Sequence, residues 1–353
     1  MINRRNTLKL IAGAGAMSAL GAPAIVRAQS RQLVFGTYGA ASSKVIGESF
    51  AAGFTKATGV PVVFADMPNP ATALVAAKGS GTIDLGLCTY VDVPLLVEAE
   101  ALEQIAPEKL PRFDQVPERY RLQDKDGQVV GVGSYLGWQG VAFNKNAAQA
   151  SDFESWQSLA DPKWKDKLAV NRPQWGAAYD LTIFSRVFGK DESDVTEAVE
   201  LYRQVAANAI TSYTSTAQMN QLLTRGEIAA GPYYSHRVLQ MQREGNQDVD
   251  FVIPKEGALS LPFAFVPAKG TKHPDEVVEF LKYSMTPEPY EIATRLSLSL
   301  PVDPSIPIPA DFEKELGAPV STILDQIYAP DWGVVYRHWR ERTAICEQIF
   351  AAK

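Results

Sequence analysis

From residue 32 onward the chain alternates short runs of apolar and β-branched residues with amphipathic stretches, separated by glycines or polar turns. QLVFGTY reads as a strand, and SSKVIGESFAAGFTKATG places Val45, Ile46, Phe50 and Phe54 on one helical face, with Ser42 or Ser43 as N-cap and Gly59 closing the helix. VPVVFA, IDLGLCTY and the helical PATALVAAKG (opened by Pro70) and DVPLLVEAEAL complete a βαβαβα run. Such alternation restricts the chain to an α/β architecture with mostly parallel sheets.

The pattern changes at DKDGQVVGVGSYLGWQGVAFNK, which reads as two short strands around Gly137 with no helix between them. A crossing between lobes is expected there, near Tyr135 to Trp138. Downstream the strands DKLAVN, EIAAGP and DVDFVIP alternate with the helices GAAYDLTIFSRVFG, ESDVTEAVELYRQVAA, STAQMNQLLTRG and one from about Ser235. LPFAFVPA then returns to the first lobe and is followed by two helices, a proline-rich crossing and two C-terminal helices. Roughly 325 residues is more than one core usually supports, so two lobes are expected.

The N-terminus has a basic head (Arg4, Arg5, Lys9), an apolar stretch from Leu10 to Val26 and small residues leading to Ala28. This predicts an export signal over residues 1–28, cleaved after Ala28, and the Arg4–Arg5 pair resembles a twin-arginine signal. The product is expected in the periplasm, without a lipid anchor. The formal charge of −6 becomes about −10 once Arg4, Arg5, Lys9 and Arg27 are removed, so nucleic acid is not expected as a partner. Cys88 and Cys346 are far apart without metal-ligand neighbours and read as buried thiols.

In order and spacing, FAAGFTKATGVPVVF, GSGTIDLGLCTYVDVPLLVEAEAL, GWQGVAFNK, LADPKWKDKLAV, LLTRGEIAAGPYYSHRVLQMQREG and FVPAKGTKHPDEVVEFLKY resemble the periplasmic solute-binding proteins of ABC importers, and within them the spermidine/putrescine-binding branch. The resemblance covers nearly the whole mature chain. It implies a two-lobed periplasmic-binding-protein fold (type II, Venus-flytrap) with discontinuous lobes and a hinge: residues 29–135 plus 261–303, and 136–260 plus 304–353. It further implies a monomer that closes on a small-molecule solute and is recognised by an ABC permease in the inner membrane.

Open α/β sheets present ligand sites beyond strand C-termini, and two such rims make a cleft. Junctions of that kind offer Tyr38, Thr89 and Tyr90 in the first lobe, Trp138 and Gln139 at the crossing, and Arg172, Trp175, Tyr179, Asp180, Tyr233, Tyr234 and Arg237 in the second lobe; Phe263 lies on the returning strand. The aromatic members suit a box around an organic cation or a flat solute. A polyamine also needs carboxylates. The polyamine binders carry a tryptophan and, two residues on, an aspartate after PKEG, where this chain has LSLPFAF. Arg172, Arg237 and the helix starts near Gly176 and Ser235 instead suit a carboxylate or phosphonate. The resemblance implies a polyamine-like ligand, and a small organic anion is the alternative these residues offer.

Ferric iron is a third option, because Tyr233–Tyr234 resembles the tyrosine pair of ferric-ion-binding proteins; the spacing and the absence of an obvious first-lobe carboxylate or histidine weigh against it. No other metal and no cofactor is expected. An exported enzyme is the rival from another class. The three histidines, His236, His273 and His338, are scattered, and the chain has no GxSxG, HExxH or CxxC. No catalytic constellation assembles.

Overall fold

The computed structural model describes residues 31–352, apart from the side chains of Trp175 and Ala177. The expected export signal lies outside the described residues.

The first part of the chain forms β1 (Leu33–Thr37), α1 (Ala40–Ile46), α2 (Ala52–Thr58), β2 (Val62–Asp66), α3 (Pro70–Ala76), β3 (Leu85–Thr89) and α4 (Val93–Glu98). Strand β1 pairs in parallel with both β2 and β3. Gly59 closes α2 at φ 76°, a left-handed conformation that favours glycine. The N-terminal expectation for this helix is corrected. Helix α1 starts after Gly39 with no side-chain cap, while the Ser43 hydroxyl is held by Thr37 Oγ1 and Asp66 Oδ1 and so ties the ends of β1 and β2 together.

After β4 (Leu122–Gln123) comes β5 (Val129–Asn144), one continuous strand of 16 residues where two short ones are expected. The glycines that suggest a break mark close approaches instead. A Cβ on Gly133 would lie 2.5 Å from the Tyr90 hydroxyl, and one on Gly140 would lie 2.5 Å from the Phe251 ring.

The chain continues through β6 (Leu168–Asn171), α5 (Ala178–Phe184), α6 (Thr196–Asn208), β7 (Ala209–Tyr213), α7 (Thr216–Thr224), β8 (Ala230–Tyr234), α8 (Ser235–Arg243), β9 (Val249–Val252) and β10 (Ala258–Pro267). Helices α9 (Pro274–Ser284) and α10 (Tyr290–Ser297) follow, then β11 (Leu300–Pro301), α11 (Ala310–Glu315), α12 (Val320–Asp325), β12 (Ile327–Tyr328), α13 (Trp332–Arg337) and α14 (Trp339–Ala351). Four helices thus follow the proline-rich segment, not two.

The main strand order is β2-β1-β3-β10-β5-β8-β6-β7. Two α/β halves therefore share a central antiparallel pair, β10 and β5. On one side β10 pairs with β3 through residues 263–267; on the other, β5 pairs with β8 through residues 139–143. Between those stretches Leu261 faces Gly137 and Pro262 faces Leu136, with a shift of register before Ala264. Pro262 lacks the N–H that a regular ladder would use there.

Each half buries its own aromatic cluster. Phe50 meets Phe265 and Tyr290 edge-on at 4.9 and 5.3 Å in the first, and Phe153 stacks on Trp164 at 5.1 Å in the second. Cys88 and Cys346 are buried free thiols, one in each half.

Candidate ligand site

A cleft of about 700 Å³ opens where the two halves meet. From the first half it is lined by Lys44 and Val45 of α1, Thr89 to Val91 at the end of β3, and Arg295 to Ser299 at the end of α10. The shared strands contribute Tyr135 and Gly137, together with Leu261, Pro262 and Phe263. The second half contributes Tyr179, Thr216, Tyr234, His236, Arg237, Gln240, Arg243 and Glu244, and Trp332 of α13 joins them.

Six of the expected residues lie in this wall: Thr89, Tyr90, Tyr179, Tyr234, Arg237 and Phe263. The Tyr90 hydroxyl turns inward to donate to the Tyr120 carbonyl, so that side chain offers only its ring. Tyr38 stands behind the wall, with its ring edge-on to Phe263 and its hydroxyl donating to Asp92 at 3.0 Å. Asp92 also accepts from the hydroxyl and amide of Thr89 in a capping box, which leaves its carboxylate committed to the fold.

Trp138, Gln139 and Asp180 are not in the wall; all three are buried. Along β5 it is residues 135 and 137 that share the cleft face, as the two-residue repeat of a strand requires. Gln139 shares their face but is covered by Asp180, to whose Oδ1 its Nε2 donates at 2.6 Å; Asn171 donates to the same oxygen at 2.9 Å. Burial pushes the Asp180 carboxyl up to about 7, against the lowering effect of those two amides. Arg172 is exposed and donates to Gln174 at 2.7 Å. The side chain of Trp175 lies outside the described residues.

The adjacent tyrosines part company. Their rings lie 5.3 Å apart and nearly parallel. Yet the buried Tyr233 hydroxyl donates to the Thr216 carbonyl and to Asn220 Oδ1, at 3.0 and 2.6 Å, whereas Tyr234 lines the cleft. Among the described residues the hydroxyls of Tyr135, Tyr179 and Tyr234 have no hydrogen-bond partner. Burial raises the pKa of all three above the ordinary phenol range, so they remain protonated donors.

Tyr135 and Trp332 are not among the residues expected from sequence, whereas Tyr179 is expected at the helix start beside Asp180. Tyr135 comes from inside the long strand. Tyr179 sits one position before Asp180 on α5 and so presents a different face. Trp332, which meets the Tyr179 ring edge-on at 5.9 Å, arrives from a helix about 150 residues downstream. No short-range motif links these three.

Cations outnumber anions in the wall. Arg243 is bound to Glu315 through two nitrogens at 2.5 and 2.6 Å, and Arg295 is paired with Asp311. Arg237 gives one nitrogen to Gln240 at 3.1 Å and keeps Nε buried without a partner; Lys44 forms no ion pair among the described residues. The one acid of the lining, Glu244, accepts from Gln240 at 2.9 Å.

Helix α8 also opens onto the cleft, with Tyr234 as N-cap, no side-chain cap and no acid in its first turn. Its free N–H groups add to the positive field. His236 stacks on Tyr234 at 5.9 Å; burial and the neighbouring Arg237 hold its pKa down at about 3, so it stays neutral.

Two α/β halves joined by shared strands, with a donor-lined cleft between them, define a solute receptor. The chain belongs to the family of bacterial extracellular solute-binding proteins, which matches residues 49–319. It is 23% identical over 253 residues to spermidine/putrescine-binding periplasmic protein 1 of Haemophilus influenzae, covering 68% of each chain. A protein of Salmonella typhi, named for binding 2-aminoethylphosphonate, is 25% identical over 189 residues, which is 50% of this chain and 53% of that protein. Among solved structures, an ABC transporter protein of Clostridium perfringens superposes with a TM-score of 0.76 at 20% identity, covering 90% of this chain and 99% of the other. The fold is therefore the two-lobed one expected from the sequence, and no described helix is long and apolar enough to cross a membrane.

Proposed function

We propose that this protein is a periplasmic receptor that captures a small organic anion, a carboxylate or phosphonate, between its lobes and hands it unchanged to an ABC permease of the inner membrane. The lobes are residues 29–135 plus 261–303, and residues 136–260 plus 304–353. The receptor acts as a monomer, and its N-terminal signal carries it out of the cytoplasm.

The observation that carries this reading is the imbalance of the wall. Three protonated tyrosine hydroxyls, Lys44 and Arg237 are available as donors, while Glu244 is the one acid and is already engaged. An acid group with two or three oxygens satisfies such donors. Charge-assisted bonds of this kind are roughly twice as strong as neutral ones. The ligand would join residues of both halves, and so favour the closed state by its differential contacts.

The Haemophilus relative binds polyamines by name, and the aromatic rings of the cleft are compatible with an ammonium group. A polyamine, however, would leave Arg237 and Lys44 facing like charges. Iron would require the Tyr233 hydroxyl to abandon two internal acceptors and two phenols to lose protons that burial holds in place.

A thermal-shift screen of the purified protein tests the proposal. A ligand at a hundred times its dissociation constant stabilises the fold by about 2.7 kcal/mol, so carboxylates or phosphonates should raise the melting temperature while putrescine and spermidine do not. The reverse pattern would refute the anion reading.

A further inference from the structure

Beside its charged and hydroxyl groups the cleft wall carries apolar side chains from both halves. Val45 and Leu298 come from the first half, Leu261 and Phe263 from the shared strand β10, and Trp332 from α13. Two hydrogen bonds already bridge the halves. Arg243 donates to the Arg295 carbonyl at 2.6 Å and joins α8 to α10, while the Tyr336 hydroxyl donates to Glu98 at 3.1 Å and joins α13 to α4.

About 700 Å³ remains open with those bridges in place. That lies within the range of roughly 300–1,000 Å³ that accommodates drug-sized ligands. Acetate or a two-carbon phosphonate would meet the donors and leave the rest of this surface against water, without the gain that apolar burial brings.

Resting on the anion reading, we infer that the cognate solute carries an apolar or aromatic body on its acid group: an aryl or branched-alkyl carboxylate or phosphonate. Its head meets Arg237 and the tyrosine hydroxyls. Its body lies against Phe263, Leu298 and Trp332. Ring-on-ring contact with Trp332 and Phe263 then supplies affinity beyond area alone.

Calorimetric titration with matched pairs, methylphosphonate against phenylphosphonate and acetate against phenylacetate, provides the test, with putrescine as the control. The phenyl member of at least one pair should bind about tenfold tighter or better, as burial of a ring predicts. That advantage should shrink in Trp332→Leu and in Phe263→Leu, each checked for folding, while affinity for the methyl member stays within about twofold. Two variants on different elements guard against one of them failing to fold. Equal affinities within both pairs, tighter binding of the methyl members, or no binding of either phenyl acid at millimolar concentration would overturn the inference. If putrescine binds and no acid does, the anion reading itself fails, and this outcome is distinct from equal affinities within the pairs.

Discussion

Two tyrosine-rich groups lie on either side of β8, and they differ in one respect. Behind the strand, the Tyr213 hydroxyl donates to Asn171 and to the Pro232 carbonyl, Asn171 donates to Asp180, and Tyr233 is anchored on α7. Toward the cleft, Tyr135, Tyr179 and Tyr234 have rings of the same kind with no partner for their hydroxyls. Polar groups that are fully paired hold a fold in one arrangement. Those left unpaired in a concave wall are available to a ligand. The comparison shows that residue type and strand position are insufficient to mark a binding tyrosine; what distinguishes it is a hydroxyl without an internal acceptor in the cleft wall itself, since the unpartnered Tyr202 hydroxyl lies outside that wall.

The largest expected effect belongs to the paired group. The ordinary value for the Asp180 carboxyl is 3.8, and burial raises it to about 7 in the folded state. Between those values the folded protein holds a proton that the unfolded chain releases. The stability tied to that proton is complete below about pH 4 and is lost as pH rises through about 7. The shift corresponds to about 4 kcal/mol across the window.

The groups facing Asp180 are the phenols of Tyr202, Tyr213 and Tyr234 and the thiol of Cys346, none of them cationic, so no neighbour replaces the proton. Its Oδ2 is buried without a partner, so a proton there removes an unpaired buried charge. Asp180→Asn should retain the bonds from Gln139 and Asn171 and gain in unfolding free energy over wild type as pH rises from about 4 to about 8. A constant difference between the two proteins would show that the paired group does not depend on a neutral acid.

Next in size is Arg237→Met. Removing the one arginine of the cleft wall that forms no ion pair among the described residues should cost about 100-fold in affinity for an anionic solute, near 3 kcal/mol, with an unchanged melting temperature of the free protein. Adjacent hydroxyl deletions then split the comparison directly. Tyr234→Phe should weaken binding by about 1 kcal/mol and leave stability unaltered, whereas Tyr233→Phe should lower stability by about 1–2 kcal/mol and leave affinity unaltered. Equal effects of the two on affinity would erase the distinction between the groups. Smallest of all is Arg172→Ala, an exposed residue outside the cleft, for which both stability and affinity should change by less than about 0.5 kcal/mol.

Most of the strand and helix order can be read from periodicity, since each unit in the first half closes on a glycine or opens on a cap. The exceptions have local causes. Gly133 and Gly140 look like interruptions but accommodate Tyr90 and Phe251, so β5 appears broken when it is continuous. Strand β7 follows α6 with no intervening turn and carries no strong alternation in burial. After the proline-rich segment, α11 and α12 are only six residues each, too short for a helical repeat to show.

At the site, Tyr234 and Arg237 are legible because they stand at a strand-to-helix junction. Asp180 and Gln139 stand near junctions as well, yet they bond to each other and withdraw from the cleft. Pairing of this kind joins residues far apart in the chain and leaves no trace in local pattern. Trp332 illustrates the converse, a cleft residue delivered by the C-terminal segment.

The most direct test of the central claim is native mass spectrometry of the protein purified from its host periplasm, with the released solute identified after denaturation. The account predicts one organic acid or phosphonate per chain, lost in the Arg237→Met variant. Release of a polyamine or of ferric iron at that stoichiometry would contradict it.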